Sequence, residues 1–113
     1  MFRVYVDPYR QSAETKRTSI VVETHRVFKV DFSKAADVRG TTVSSVAWSS
    51  EGSRQLTVSS ESLSSGVAQA SVYAENSGWA VLKVKATYAS GEVETQYINI
   101  LVQDPEYNLN TIS

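Results

Sequence analysis

The strongest constraint on this chain is a period of two. In GVAQASVYAE, Ala68, Ala70, Val72 and Ala74 occupy alternate positions, with Gln69, Ser71, Tyr73 and Glu75 between them. WAVLKVKATY sets Ala80, Leu82, Val84, Ala86 and Tyr88 against Val81, Lys83, Lys85 and Thr87. In TQYINILVQ, Ile98, Ile100 and Val102 alternate with Tyr97, Asn99 and Leu101. Side chains on a strand project to opposite faces in turn, so these runs are half-buried strands with one face on a core. No segment offers a long helical stripe. FSKAADVRG, with Ala35 and Ala36 ahead of Gly40, is read as at most one turn of helix.

Turn residues punctuate the strands. Glu51-Gly52, Ser65-Gly66, Asn76-Ser77-Gly78 and Ser90-Gly91 each place a glycine where the chain must reverse. TYASGEVETQY reads as a hairpin in which Lys83–Tyr88 pairs with Thr95–Val102. The stretch VSSVAWSSEGSRQLTVSSESLSSG has the serine content of a linker, yet Val46, Trp48, Leu56 and Val58 stand at strand spacing. The predicted strands are 2–6, 19–24, 26–32, 42–48, 55–60, 67–74, 80–88 and 95–102. Short strands with turns about every ten residues make a sandwich or barrel. The chain therefore divides into an N-terminal β arm or hairpin (1–25), a two-sheet sandwich (26–102) and an extended C-terminal tail (103–113) that opens on Asp104-Pro105. Asp7-Pro8 ends the first strand, because proline cannot donate to a ladder.

Composition narrows the function. At 113 residues the chain suits one domain. A formal net charge of −1 gives no broad field to attract nucleic acid or an anionic membrane. There are no cysteines, which removes disulfides, thiolate metal sites and cysteine nucleophiles together. The N-terminus lacks an apolar stretch of signal-peptide length, and no run approaches the ~20 apolar residues of a membrane helix. These features fit folding in the cytoplasm. The one histidine, His25, stands at a strand end and is read as a surface or packing residue. No nucleophile elbow, phosphate-binding glycine pattern or calcium loop occurs. Glu92 and Glu94 are read as a solvated hairpin edge rather than an acid/base pair. The expectation is a protein without catalysis, cofactor or metal.

The aromatic residues are the remaining candidates. Trp48 is read as a core residue between two sheets, and Trp79 as a strand-entry residue at a rim or in the core. Tyr73 and Tyr97 fall on outward faces, where they could bind a ligand or stack across strands. Phe2, Val4, Tyr5, Val6 and Tyr9 in the N-terminal segment, with Tyr107 and Leu109 in the tail, are the expected protein-interface residues. On that reading, removal of residues 1–24 leaves a folded sandwich.

Several motifs resemble a known family. They are Val30-Asp31-Phe32-Ser33, the G-x-x-V-S-S-V-x-W segment Gly40–Trp48, the strand Gly66–Val72, the S-G-x-x-x-L-K-V-x-A strand Ser77–Ala86 and the hairpin Ser90–Val102. In this order they resemble small Ig-like virion accessory proteins of tailed bacteriophages, of the fiber-tail adaptor type. The penultimate strand is also similar to that of bacterial Ig-like domains. The resemblance covers residues 26–102 and implies an Ig-like β-sandwich located in the virion. It further implies partners among other virion proteins (tail, fiber, portal-proximal or coat) and a symmetric homo-oligomer in the assembled particle. Capsid decoration is the alternative virion role. A carbohydrate-binding or adhesion module, using Trp79, Tyr73 or Tyr97, is the alternative outside it.

Overall fold

A computed structural model of the chain describes residues 2–6, 16–51 and 56–104. Eight strands and one short helix follow in the order β1 (Phe2–Tyr5), β2 (Lys16–Val21), β3 (His25–Asp31), α1 (Ser33–Val38), β4 (Val43–Glu51), β5 (Leu56–Ser64), β6 (Val67–Ala74), β7 (Gly78–Tyr88) and β8 (Val93–Gln103). They form two four-stranded sheets, ordered β1-β3-β6-β5 and β2-β8-β7-β4. The chain crosses between sheets at β1–β2, β2–β3, β3–β4, β4–β5 and β6–β7. Only the β5–β6 and β7–β8 hairpins stay within one. This is the Ig-like division of strands between two sheets.

The alternation in the sequence becomes the core. Phe28, Val30, Ala68 and Val72 of one sheet face Leu82, Val84, Ile98 and Ile100 of the other, all shielded from solvent. Large residues lie beside small ones: Phe28 pairs with Ala70, and Val30 with Ala68. Alternate sizes let the two inner faces interdigitate at crystal-like density. The β7–β8 hairpin runs from Gly78↔Val102 to Thr87↔Val93. That register brings the inward residues of both strands to the same face.

The N-terminal segment departs from its reading as an arm or hairpin. β1 and β2 do not pair with each other. β1 lies parallel to β3, with Val4 opposite Val30, and β2 lies parallel to β8, with Ile20 opposite Val102. Val4, Val6 and Ile20 are each only 2–3% exposed and belong to the common core. The physical reason is edge burial: each strand adds a ladder and an apolar face to an otherwise open sheet. β2 also starts earlier than the apolar run IVV suggested. Lys16–Ser19 pair with β8, whereas Val22 and Glu23 make the turn, Glu23 at φ 63.

The helix is longer than the single turn expected. Its six residues bury Ala35 and Ala36 against the sandwich. The β5–β6 turn is a two-residue loop, Ser65-Gly66, with φ of 51 and 81. Two positive φ values give the primed turn that suits the twist of a hairpin. Gly66 is also tight against the helix: a Cβ there would meet Ser33 Cα and Cβ at 3.0 Å.

Candidate functional site

Of the residues expected at an interface, Tyr9, Tyr107 and Leu109 lie outside the described residues. Val4 and Val6 are inside the chain's own core, which corrects their assignment as contacts. A valine in that position stabilises the fold and cannot also meet a partner. Phe2 is half-buried and packs its ring on Phe28, centroids 5.3 Å apart. Tyr5 remains outside, 64% exposed, with the Arg3 guanidinium 5.0 Å from its ring centre. Alternation explains the split, since Phe2 and Val4 share one face and Arg3 and Tyr5 the other.

Three polar constellations stand out among the described residues. Asp31 accepts from the Ser33 amide at 2.9 Å and the Ser33 hydroxyl at 2.5 Å, while Arg3 Nη2 donates to its other oxygen at 2.9 Å. Burial alone would raise the Asp31 pKa, but the Ser33 bonds and Arg3 outweigh it and hold the carboxyl below its ordinary range. The group ties β1 to β3 and turns the chain into α1. At the same end of the sandwich, Tyr88 Oη donates to Glu94 Oε1 at 2.5 Å and Arg39 Nη2 reaches that oxygen at 3.4 Å. Glu94 is only 5% exposed, so it does not lie on a solvated hairpin edge. The β8 register turns Glu94 inward, opposite Ala86 of β7. Burial, the bond to Glu94 and the Glu94 charge push the Tyr88 hydroxyl well above the usual tyrosine range. Burial works against charge on Arg39, but Glu94 and Tyr88 outweigh it and raise its pKa. Finally, His25 stacks on Tyr73, centroids 4.7 Å apart, with Ser71 Oγ 3.4 Å from Nδ1. Among the described residues no group of three or more His, Cys, Asp or Glu could hold a metal ion. No helix among them is long and apolar enough to cross a membrane.

The side of the sandwich between β4 and β5 is different in kind. Both sheets end there, one on β4 and the other on β5. Trp48 faces inward opposite Val84 and packs against the core, as the sequence suggested, but it does so from an edge strand and is only partly buried. A cleft of about 340 Å³ opens beside it, lined by Ser44, Ser45, Val46, Trp48 and Glu61–Leu63. A second, of about 390 Å³, continues under α1 past Leu63 toward Gly66 and Ser33. Leu63 borders both and is itself exposed. This seam offers an apolar floor, strand edges with main-chain groups, and few charges.

The outer face of the β2-β8-β7-β4 sheet is the other distinctive surface. Trp79 is 54% exposed at the entry to β7, and Tyr97 projects outward opposite Lys83. The two rings therefore share one face, about 13 Å apart along the strands at 3.3 Å per residue. Tyr73 lies on the other sheet, against His25. The sequence placed Tyr73 and Tyr97 on outward faces and left Trp79 open between rim and core; the structure puts Trp79 on the outer face. The sequence did not show the seam, because which strands become edges is a property of sheet order.

No protein-family model matches the sequence, and no curated protein is similar to it in sequence. Solved structures are similar in fold. The 2,6-sialyltransferase of Photobacterium sp. JT-ISH-224 aligns with a TM-score of 0.54 at 14% identity; 82% of this chain is covered, and it spans 18% of the enzyme. PbICP-C, solved in complex with falcipain-2, aligns at 0.54 and 8% identity over 91% of this chain and 100% of its own. The PKD domain of KIAA 1837 protein aligns at 0.51 and 19% identity over 83% and 84% of the two chains. At these identities the likeness is one of fold, and the chain is an all-β, Ig-like sandwich.

Proposed function

We propose that this protein is a structural component of a tailed-bacteriophage virion, an Ig-like adaptor that joins tail or fiber components by protein contact and without catalysis. The observation that carries the reading is the β4–β5 seam, where two sheet edges, the partly buried Val46 and Trp48 and the exposed Leu63 lie together. An edge of this kind can accept a strand through main-chain hydrogen bonds, with side-chain pockets supplying selectivity. The motifs from Val30 to Val102 that resemble virion accessory proteins support the same reading. Among the described residues the Asp31 and Glu94 clusters hold the fold, which supports binding by surface rather than catalysis. Antibody labelling of purified particles tests it: signal on the tail or fiber base is expected. Signal on the head makes the protein a capsid decoration instead, and unlabelled particles refute a virion role.

Trp79 and Tyr97 favour a second reading, carbohydrate binding. Two outward rings on one sheet face form a platform on which sugar rings can stack. A glycan array probed with the isolated domain, and with Trp79→Ala as comparison, separates the two. Binding lost in the variant establishes the sugar site.

A further inference from the structure

The four sheet edges are not alike. β1 is four residues long and carries Arg3, and β2 begins with Lys16-Arg17. β5 carries Glu61, breaks register between Ser59 and Ser62, and holds Ser60 at φ 55. Shortness, charges and bulges are devices by which exposed edges resist pairing with other chains. β4 has none of them along its regular part. From Ser45 to Ser50 it is free of charge and proline, its register shift lies between Val43 and Ser45, and its one charged residue, Glu51, is the last. It pairs with β7 on one side, and no described strand is hydrogen-bonded to the other, where β5 of the facing sheet packs across the cleft.

We propose that β4 pairs antiparallel with β4 of a second copy of this chain, across a twofold axis at Ala47, joining two four-stranded sheets into one of eight. A strand brought against itself by a twofold axis is necessarily antiparallel, and its surface must be self-complementary. The sequence VSSVAWSSE meets that demand in this register. Ala47 faces its own copy, Ser45 faces Ser49, and Val46 faces Trp48. Opposed residues in an antiparallel ladder project to the same side. The core-facing side therefore gains two valine–tryptophan pairs, an aromatic on a β-branched residue, which is a favourable cross-strand combination. On the outer side, from Ser45 to Ser49, only alanine and serine meet. The two copies of Glu51 fall at opposite ends of the ladder, so no like charges oppose each other. Moving the axis to Val46 would set Trp48 against Ser44, and moving it to Trp48 would set Val46 against Ser50; either leaves an apolar residue against a serine. The second copy would also cover the part of Trp48 still exposed at the mouth of its cleft.

The inference rests on the reading of sheet edges as joints, but it is tested with the purified full chain alone, so its failure leaves the virion assignment standing. Sedimentation equilibrium from micromolar to near-millimolar protein is expected to show a monomer–dimer equilibrium. Ala47→Lys opposes two like charges at the axis and is expected to weaken dimerisation by about tenfold or more. Its circular dichroism and urea midpoint check that the exposed substitution leaves the fold intact. Register is read by Ala47→Cys, in a chain that has no cysteine of its own. Mild oxidation should cross-link that variant and not Glu75→Cys, an exposed position that follows β6 of the other sheet. A wild-type chain that stays monomeric throughout, a dimer that Ala47→Lys leaves unchanged, or equal cross-linking of the two cysteine variants overturns the proposal.

Discussion

The N-terminal strands are the part of this fold most easily mistaken for an accessory, and their contribution to stability can be weighed. Val4 and Ile20 sit on different sheets and are each 2–3% exposed within one core. Val4→Ala removes two methyl groups, worth about 1.6 kcal/mol at about 0.8 kcal/mol per buried methylene, and the unfilled space adds to the loss. Ile20→Ala removes three carbons, for about 3 kcal/mol with its cavity. The double variant should lose about 5 kcal/mol, which matches the low end of the total stability of a domain. Tyr5→Ala is the internal comparison: the side chain faces outward, and losing its contact with Arg3 should cost about 0.5–1 kcal/mol. Urea unfolding followed by tryptophan fluorescence and near-ultraviolet circular dichroism measures all four. Removal of residues 1–24 should go further, because it uncovers Val30 on one sheet and Val102 on the other. A truncated chain that unfolds cooperatively near the wild-type midpoint, with Val4→Ala and Ile20→Ala both near neutral, would refute the reasoning and restore the segment as a detachable arm.

Two polar clusters give pH-dependent expectations. Tyr88→Phe leaves the buried Glu94 carboxylate without its hydroxyl donor and should cost about 1.5–3 kcal/mol, read as a shift in urea midpoint. Because the Tyr88 pKa is raised in the fold, its stabilisation is complete below the unfolded tyrosine pKa near 10 and is lost as pH climbs above it. Spectrophotometric titration should therefore show one tyrosine that ionises only as the protein unfolds, and Tyr88→Phe should remove that phase. Asp31 works in the opposite sense: its lowered pKa adds stability above the ordinary carboxylate range that disappears as pH falls below about 4. Asp31→Asn should flatten the acid limb of a stability–pH curve while lowering the plateau at neutral pH.

Much of the fold was legible because alternation is a local property. β6, β7 and β8 follow the apolar periods at Ala68–Ala74, Ala80–Tyr88 and Ile98–Val102, and the Ser90-Gly91 turn fixes their hairpin. β4 and β5 emerged from a serine-rich stretch on four apolar residues, Val46, Trp48, Leu56 and Val58, although they end three and four residues later than that spacing showed. The destination of β1 and β2 was not legible. Nothing local distinguishes a strand that pairs with its neighbour in sequence from one that closes an edge of each sheet. Glu94 was misread although it shares the alternation of Ile98, Ile100 and Val102: glutamate in a hairpin is ordinarily solvated, and its burial here is compensated by Tyr88 and Arg39 converging from other elements. Trp48 was recognised as a packing residue, but its partial exposure follows from β4 ending a sheet, which the order of strands decides.

The proposal that this chain is a virion joint is tested most directly by locating its gene and, where that gene lies in a tailed phage, by quantitative mass spectrometry of the purified particles. The protein should be present in a fixed ratio to the portal or tail proteins, in whole-number copies set by particle symmetry. Its absence from infectious, washed particles would contradict the account.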